Sequence, residues 1–156
     1  MILGTKARYA VMAMVDLAMC DASRPTRLKT LSERQEIPLA YLEQIFSLLR
    51  QNSLVTSAKG PGGGYTLARD CSKIVIADIV RAVEETTKIT RCSAKAEGGC
   101  MGGKARCLTH DLWEGLEDEI NDYLSGISLQ DVCSRRLRVD ARPAMAVIHG
   151  EAGLPQ

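Results

Sequence analysis

Four side chains in the second half of the chain have types and spacing that suggest chemistry. Cys92, Cys100, Cys107 and His110 stand as C-x7-C-x6-C-x2-H. Thiolates and imidazole are the ligands used by zinc and by iron–sulfur clusters. Zinc sites usually include a close C-x₂₋₄-C pair that grips one ion. Here the shortest gap between these cysteines holds six residues. A cluster, whose irons are set apart, suits such spread ligands better. Gly98, Gly99, Gly102 and Gly103 lie between them. These glycines let a loop fold around a bulky group and offer backbone N–H groups to its sulfides. One histidine among three thiolates makes ligation weaker and pH-sensitive, which suits a centre that must be lost to signal. Zinc, a thiol redox switch and inert loop cysteines remain open as alternatives. Cys20, Cys71 and Cys133 are isolated in the sequence and read as small buried or surface residues. His149 has no neighbours of matching chemistry and reads as idle.

The elements that must position these residues follow from apolar periodicity. Tyr9, Ala10, Ala13, Met14, Leu17 and Ala18 predict a helix over 6–20, broken by Asp21–Pro25. A short helix spans Leu28–Gln35, and Glu36-Ile37 makes a turn. Pro38 suits the first position of a third helix, because its missing N–H would be unpaired there. That helix runs to about Gln51, with Leu42, Ile45, Phe46 and Leu49 inward and Asn52 as terminator. Two strands, 54–57 and 65–68, flank the glycine-rich tip Lys59–Gly64 and predict a β-hairpin. Helix, turn, helix and hairpin in this order make a winged helix-turn-helix. A further helix covers Ile74–Glu84, and 91–108 reads as a loop. Thr109 is placed as the N-cap of a helix to about 125, with Asp111 in its first turn. Its stripe of Leu112, Trp113, Leu116, Ile120, Tyr123 and Leu124 must bury against something, and Glu114, Glu117, Asp118 and Asp122 form the other face. The fold class is therefore mainly α. A winged-helix domain (1–84) precedes a cluster-binding loop and long helix (85–134), and 135–156 is a disordered tail.

An α-helix fits the DNA major groove, where its exposed residues meet base edges. On the third helix those residues are Ala40, Tyr41, Glu43, Gln44, Ser47 and Arg50. Glutamine pairs bidentately with adenine, and glutamate accepts from cytosine N4 while phosphate repels it. Glu43 therefore serves discrimination more than affinity. Arg50 and Lys59 are candidates for phosphate or groove contacts, and Gly60, Gly62 and Gly63 let the hairpin backbone approach DNA. Lys6, Arg8, Arg27 and Arg34 are further candidates for phosphate contact.

Charge separates along the chain although the net charge is only +1. Residues 1–81 hold eleven Lys/Arg against seven Asp/Glu, whereas 82–134 hold five against ten. A basic first half beside an acidic second half suggests two jobs. No apolar run approaches the ~20 residues of a membrane helix, and the first residues do not read as a signal peptide. A cytoplasmic location without membrane partners is the expectation. Catalysis is not expected, because no nucleophile–base pair or C-x-x-C is legible. The Gly60–Gly64 tip also lacks the Lys-Ser/Thr of a phosphate-binding loop.

Three motifs together resemble a known family, the winged-helix regulators that include IscR, NsrR and RirA. They are Tyr41-Leu42-Glu43-Gln44-Ile45-Phe46, Gly60-Pro61-Gly62-Gly63-Gly64-Tyr65 and Cys107-Leu108-Thr109-His110-Asp111-Leu112-Trp113. The resemblance covers about residues 1–130, and the last motif is closest to the IscR branch. It implies a homodimer on double-stranded promoter DNA, with the Leu112–Leu124 stripe as dimerisation face. It also implies a 2Fe–2S cluster on Cys92, Cys100, Cys107 and His110, and control, by repression, of iron–sulfur assembly genes. Cluster-assembly proteins are the candidate cluster donors. The wide Cys92–Cys100 gap is more like RirA relatives with a larger cluster, so 4Fe–4S stays open. A regulator of the same fold sensing nitric oxide or thiol oxidants is the alternative. A second is an electron-transfer protein, which would leave the helix-turn-helix unexplained.

Overall fold

The computed structural model describes residues 4–84, Cys100 and residues 106–137. Six α-helices and one hairpin are built from these residues: α1 (Thr5–Met19), α2 (Leu28–Gln35), α3 (Leu39–Gln51), β1 (Val55–Ala58), β2 (Gly64–Leu67), α4 (Ile76–Val83), α5 (His110–Ser125) and α6 (Leu129–Cys133). A 3₁₀ turn, Cys71–Lys73, precedes α4.

Helix α1 is the hub. Its stripe of Ala7, Ala10, Ala13, Met14 and Leu17 is buried, and it touches α2, α3, α4, α6 and β2. The three alanines keep the helix axes close, and Met14 fills the remaining space. Helix α2 buries only Leu31. It ends where Glu36 turns left-handed (φ 54°), so that Ile37 N–H returns to the Ser32 carbonyl. This places α3 across α2 as a helix-turn-helix. Pro38 stands one residue before α3 rather than inside it. Its carbonyl accepts from the N–H groups of Tyr41 and Leu42, so it acts as the cap while its φ still presets the first turn. Asn52 ends α3 as expected, with Nδ2 donating to the Leu48 carbonyl at 2.9 Å.

The hairpin is antiparallel, with Val55 opposite Leu67 and Ala58 opposite Gly64. Thr26 and Tyr65 exchange two backbone hydrogen bonds, an isolated bridge that ties the segment before α2 to the wing. Tyr65 also packs its ring edge-on against Phe46 of α3, with centroids 4.9 Å apart. The wing is thereby fixed to the helix it accompanies.

Two features are not in the sequence-based expectation. The helix expected from Ile74 begins at Ile76, because Ile74 and Val75 pair with the chain that returns after α5. Leu129 N–H donates to the Ile74 carbonyl at 2.7 Å, and Ile76 N–H donates to the Ile127 carbonyl at 2.9 Å. Helix α6 follows at once, started by a capping box in which Ser128 and Asp131 bond reciprocally. It packs on α1 and on the Cys71–Lys73 turn, with Leu129 fully buried. No helix among the described residues is long and apolar enough to cross a membrane. The expected tail lies outside the described residues from 138 onward, as does most of the expected loop over 91–108.

Candidate metal centre and nucleic-acid interface

The start of α5 brings the donor atoms of two expected ligands, Cys100 and His110, together, with Cys107 beside them through its backbone. Cys107 precedes the helix, and His110 N–H returns to its carbonyl at 3.1 Å. His110 opens α5 and is buried, with 3% of its surface exposed. Its Nδ1 lies 3.5 Å from Cys100 Sγ. Two donors on one tetrahedral ion, bonded at about 2.3 Å through sulfur and about 2.1 Å through nitrogen, stand about 3.6 Å apart. The Cys100–His110 pair therefore fits a shared metal. The Cys107 backbone N–H donates to Cys100 Sγ at 2.9 Å. Such N–H···S contacts tune metal–sulfur centres. The donor set, half-buried thiols with one buried imidazole, fits an iron–sulfur cluster. Cys92 lies outside the described residues.

Thr109 precedes α5, but its hydroxyl does not cap the helix. Its Oγ1 instead accepts from Trp113 Nε1 at 3.0 Å and stands 3.7 Å from Cys107 Sγ. Asp111 does lie in the first turn, exposed and 3.8 Å from the Arg106 guanidinium.

The face that α5 turns toward the fold carries more polar groups than expected. Glu114 and Glu117, expected on the outward acidic face, are half-buried on the same side as His110. Glu114 Oε2 is 3.8 Å from His110 Nε2, and Glu117 Oε2 is buried without a hydrogen bond among the described residues. The cause is the ligand geometry: once His110 points inward, residues four and seven further on follow it. The apolar stripe is correspondingly bare in one chain. Leu112 is 63% and Tyr123 52% exposed, with Trp113 and Leu116 also open. Ile120 is half-buried, and Leu124 packs on the core from the side.

On the winged helix, Ala40, Glu43, Gln44 and Arg50 of α3 are exposed, and Ser47 is half-buried. Tyr41 is less available, because its ring meets Tyr9 edge-on at 5.8 Å. Lys59, Gly60 and Gly62 are exposed at the wing tip. The tip glycines differ in why they are glycine. Gly60 has φ 102°. A Cβ on Gly63 would stand 2.4 Å from the Ala58 carbonyl oxygen, and one on Gly64 2.5 Å from that of Thr26. Gly62 meets nothing within 4 Å.

Two of the expected phosphate contacts have other partners. Arg27 donates to the Pro61 carbonyl and tethers the wing tip. Arg34 pairs with Asp16 at 2.9 Å and donates to Cys20 Sγ at 3.1 Å. The Cys20 sulfur, helped by Asp16, raises the Arg34 pKa above its ordinary value. Gln35 donates to the same carboxylate. This link between α1 and α2 is not legible in the sequence, because its members are far apart along the chain. Lys6 is half-buried and Arg8 exposed on the first turns of α1.

The profile of the Rrf2 family, described as iron-dependent transcriptional regulators, matches residues 3–135. The chain belongs to the Rrf2 family. Among Rrf2 relatives, the HTH-type transcriptional regulator IscR of Photorhabdus laumondii is 49% identical over 138 residues, spanning 88% of this chain and 82% of that protein. The IscR of Escherichia coli O1:K1 is 46% identical over 138 residues, with 88% and 83% covered. The solved structure of T. potens IscR superposes with a TM-score of 0.71 at 31% identity, covering 92% of this chain and 93% of that one. The B. subtilis global cysteine regulator CymR also reaches 0.71, at 29% identity, with 86% and 98% covered. The motif resemblance and the winged-helix fold agree with these similarities.

Proposed function

We propose that this Rrf2 protein is a homodimeric transcription regulator. It binds promoter DNA through α3 and the wing, senses iron–sulfur status through a cluster, and controls cluster-assembly genes. The observation that carries this reading is the approach of Cys100 Sγ to the buried His110 Nδ1, 3.5 Å apart, on a chain that also folds a helix-turn-helix with a wing. Cys92, Cys100, Cys107 and His110 would hold the cluster, with 2Fe–2S favoured by the histidine. When bound, the cluster supplies a redox-active, oxygen-sensitive group whose presence reports iron supply.

The chain's own residues supply the rest. Leu112, Trp113, Leu116 and Tyr123 present an uncovered apolar stripe, which a second copy of α5 would bury. Helix α5 touches α4, and α4 touches α3. Asn52, at the end of α3, reaches the Ala82 carbonyl of α4 at 3.5 Å. A change in the metal loop that moves α5 within the dimer would therefore change the spacing of the two α3 helices. Half-site spacing on DNA depends on that distance.

The test is fluorescence anisotropy on duplexes from the promoter of the cluster-assembly genes, against scrambled duplexes. Sequence-preferring binding that changes when Cys100 and Cys107 are replaced by Ala supports the reading. The absence of any preference, with or without iron, contradicts it.

A further inference from the structure

We infer that Glu114 is the positioning residue for His110, its carboxylate holding the imidazole so that Nδ1 faces the metal centre. This rests on the cluster reading of that site and adds a residue to it. His110 is buried, and its Nε2 has no hydrogen-bond partner among the described residues. A ring nitrogen buried without a partner costs free energy, so it calls for an acceptor or donor nearby. Glu114 lies one turn further along the same face, with Oε2 3.8 Å from Nε2. That gap is longer than a hydrogen bond, and a small rotation of the glutamate side chain closes it.

Asp111 also brings a carboxylate oxygen within 4.8 Å of a His110 ring nitrogen and of Glu114, but it is exposed and stands 3.8 Å from the Arg106 guanidinium, whereas Glu114 is half-buried beside Nε2. Glu117 lies two turns from His110, about 10 Å along the axis. A carboxylate accepting from Nε2–H fixes one tautomer and leaves the Nδ1 lone pair free to bind metal. It also strengthens that lone pair as a donor. Its negative charge favours the oxidised, more positive state of the centre and so lowers its reduction potential.

The test uses the full chain in two forms. Without cluster, ¹⁵N imidazole spectra are simple, because the chain has two histidines. His110 should be the Nε2-protonated tautomer, and Glu114→Ala should turn it into a mixture. With cluster, Glu114→Ala should shift the one-electron equilibrium at fixed potential about tenfold toward the reduced state, a rise of about 59 mV. Glu114→Gln keeps the shape and loses the charge, so it should raise the potential while keeping the tautomer. It carries the test if the alanine variant does not fold. Asp118→Ala removes an exposed charge from the same helix and should change neither readout. An unchanged tautomer in Glu114→Ala, or a potential in Glu114→Gln equal to wild type, overturns the assignment. If wild type gains colour and these variants match it, only the role of Glu114 falls. A wild type that takes up no cluster overturns the cluster reading as well.

Discussion

Gln44 and Glu43 stand side by side on the exposed face of α3, yet their chemistry differs toward DNA. Gln44→Ala should cost about 1–3 kcal/mol on the preferred duplex and relax the choice of base at one position. Lys59→Ala should weaken all duplexes alike and reduce the salt slope by about 1. Anisotropy titrations across a salt series separate the two effects. A second contrast concerns the cysteines away from the metal site. Burial pushes the Cys133 thiol up, with the nearby Cys71 adding to the effect. The raised pKa leaves less thiolate in the folded protein than in the unfolded chain at the same pH. Iodoacetamide at pH 8 should therefore label Cys133 more slowly in buffer than in urea, and peptide mapping reads the ratio. At this scale the sequence revealed the exposed face of α3, because it depends on residue identity and local spacing. It did not reveal that Tyr41 leans on Tyr9 or that Arg34 serves Asp16. Those pairings join segments that only the fold brings together.

The wing shows how far a glycine-rich motif can be read. Gly60, Gly63 and Gly64 have reasons inside the fold, whereas Gly62 has none (its φ is ordinary and its Cβ position is open). Gly63→Ala and Gly64→Ala should each cost about 1–3 kcal/mol of stability, since a backbone oxygen occupies the Cβ position. Gly62→Ala should stay within about 0.5 kcal/mol in thermal unfolding. It should still weaken DNA binding if that backbone lies against a phosphate. The helices α1 to α3 and the hairpin were legible from periodicity and turn residues. Helix α6 was overlooked although Ser128 and Asp131 carry the capping-box spacing. It is too short for periodicity to register, and what holds it is the long-range pairing with Ile74. The inward turn of Glu114 and Glu117 was illegible for a related reason: the sequence placed His110 as a ligand without placing the direction it faces.

At the scale of the whole molecule, two facts have to be reconciled. One chain folds a complete helix-turn-helix around α1, yet leaves the stripe of α5 open to solvent. The proposed dimer would cover this stripe and set two α3 helices on a two-fold DNA site. Leu116→Glu places a charge in the centre of that stripe, far from the α1 core. It should leave the helical circular dichroism intact and convert a dimer of about 34 kDa to a monomer of 17.0 kDa by light scattering. Operator affinity should fall with it.

We propose that Cys92, Cys100, Cys107 and His110 hold iron and sulfide. Anaerobic purification followed by an absorption spectrum with iron and sulfide analysis tests it most directly. A coloured protein with about two irons and two sulfides per chain is expected. Replacing Cys92, Cys100 and Cys107 by Ala together should remove the colour and leave the helices folded. A colourless wild type holding zinc or no metal, or a triple variant that keeps its full colour, would contradict it.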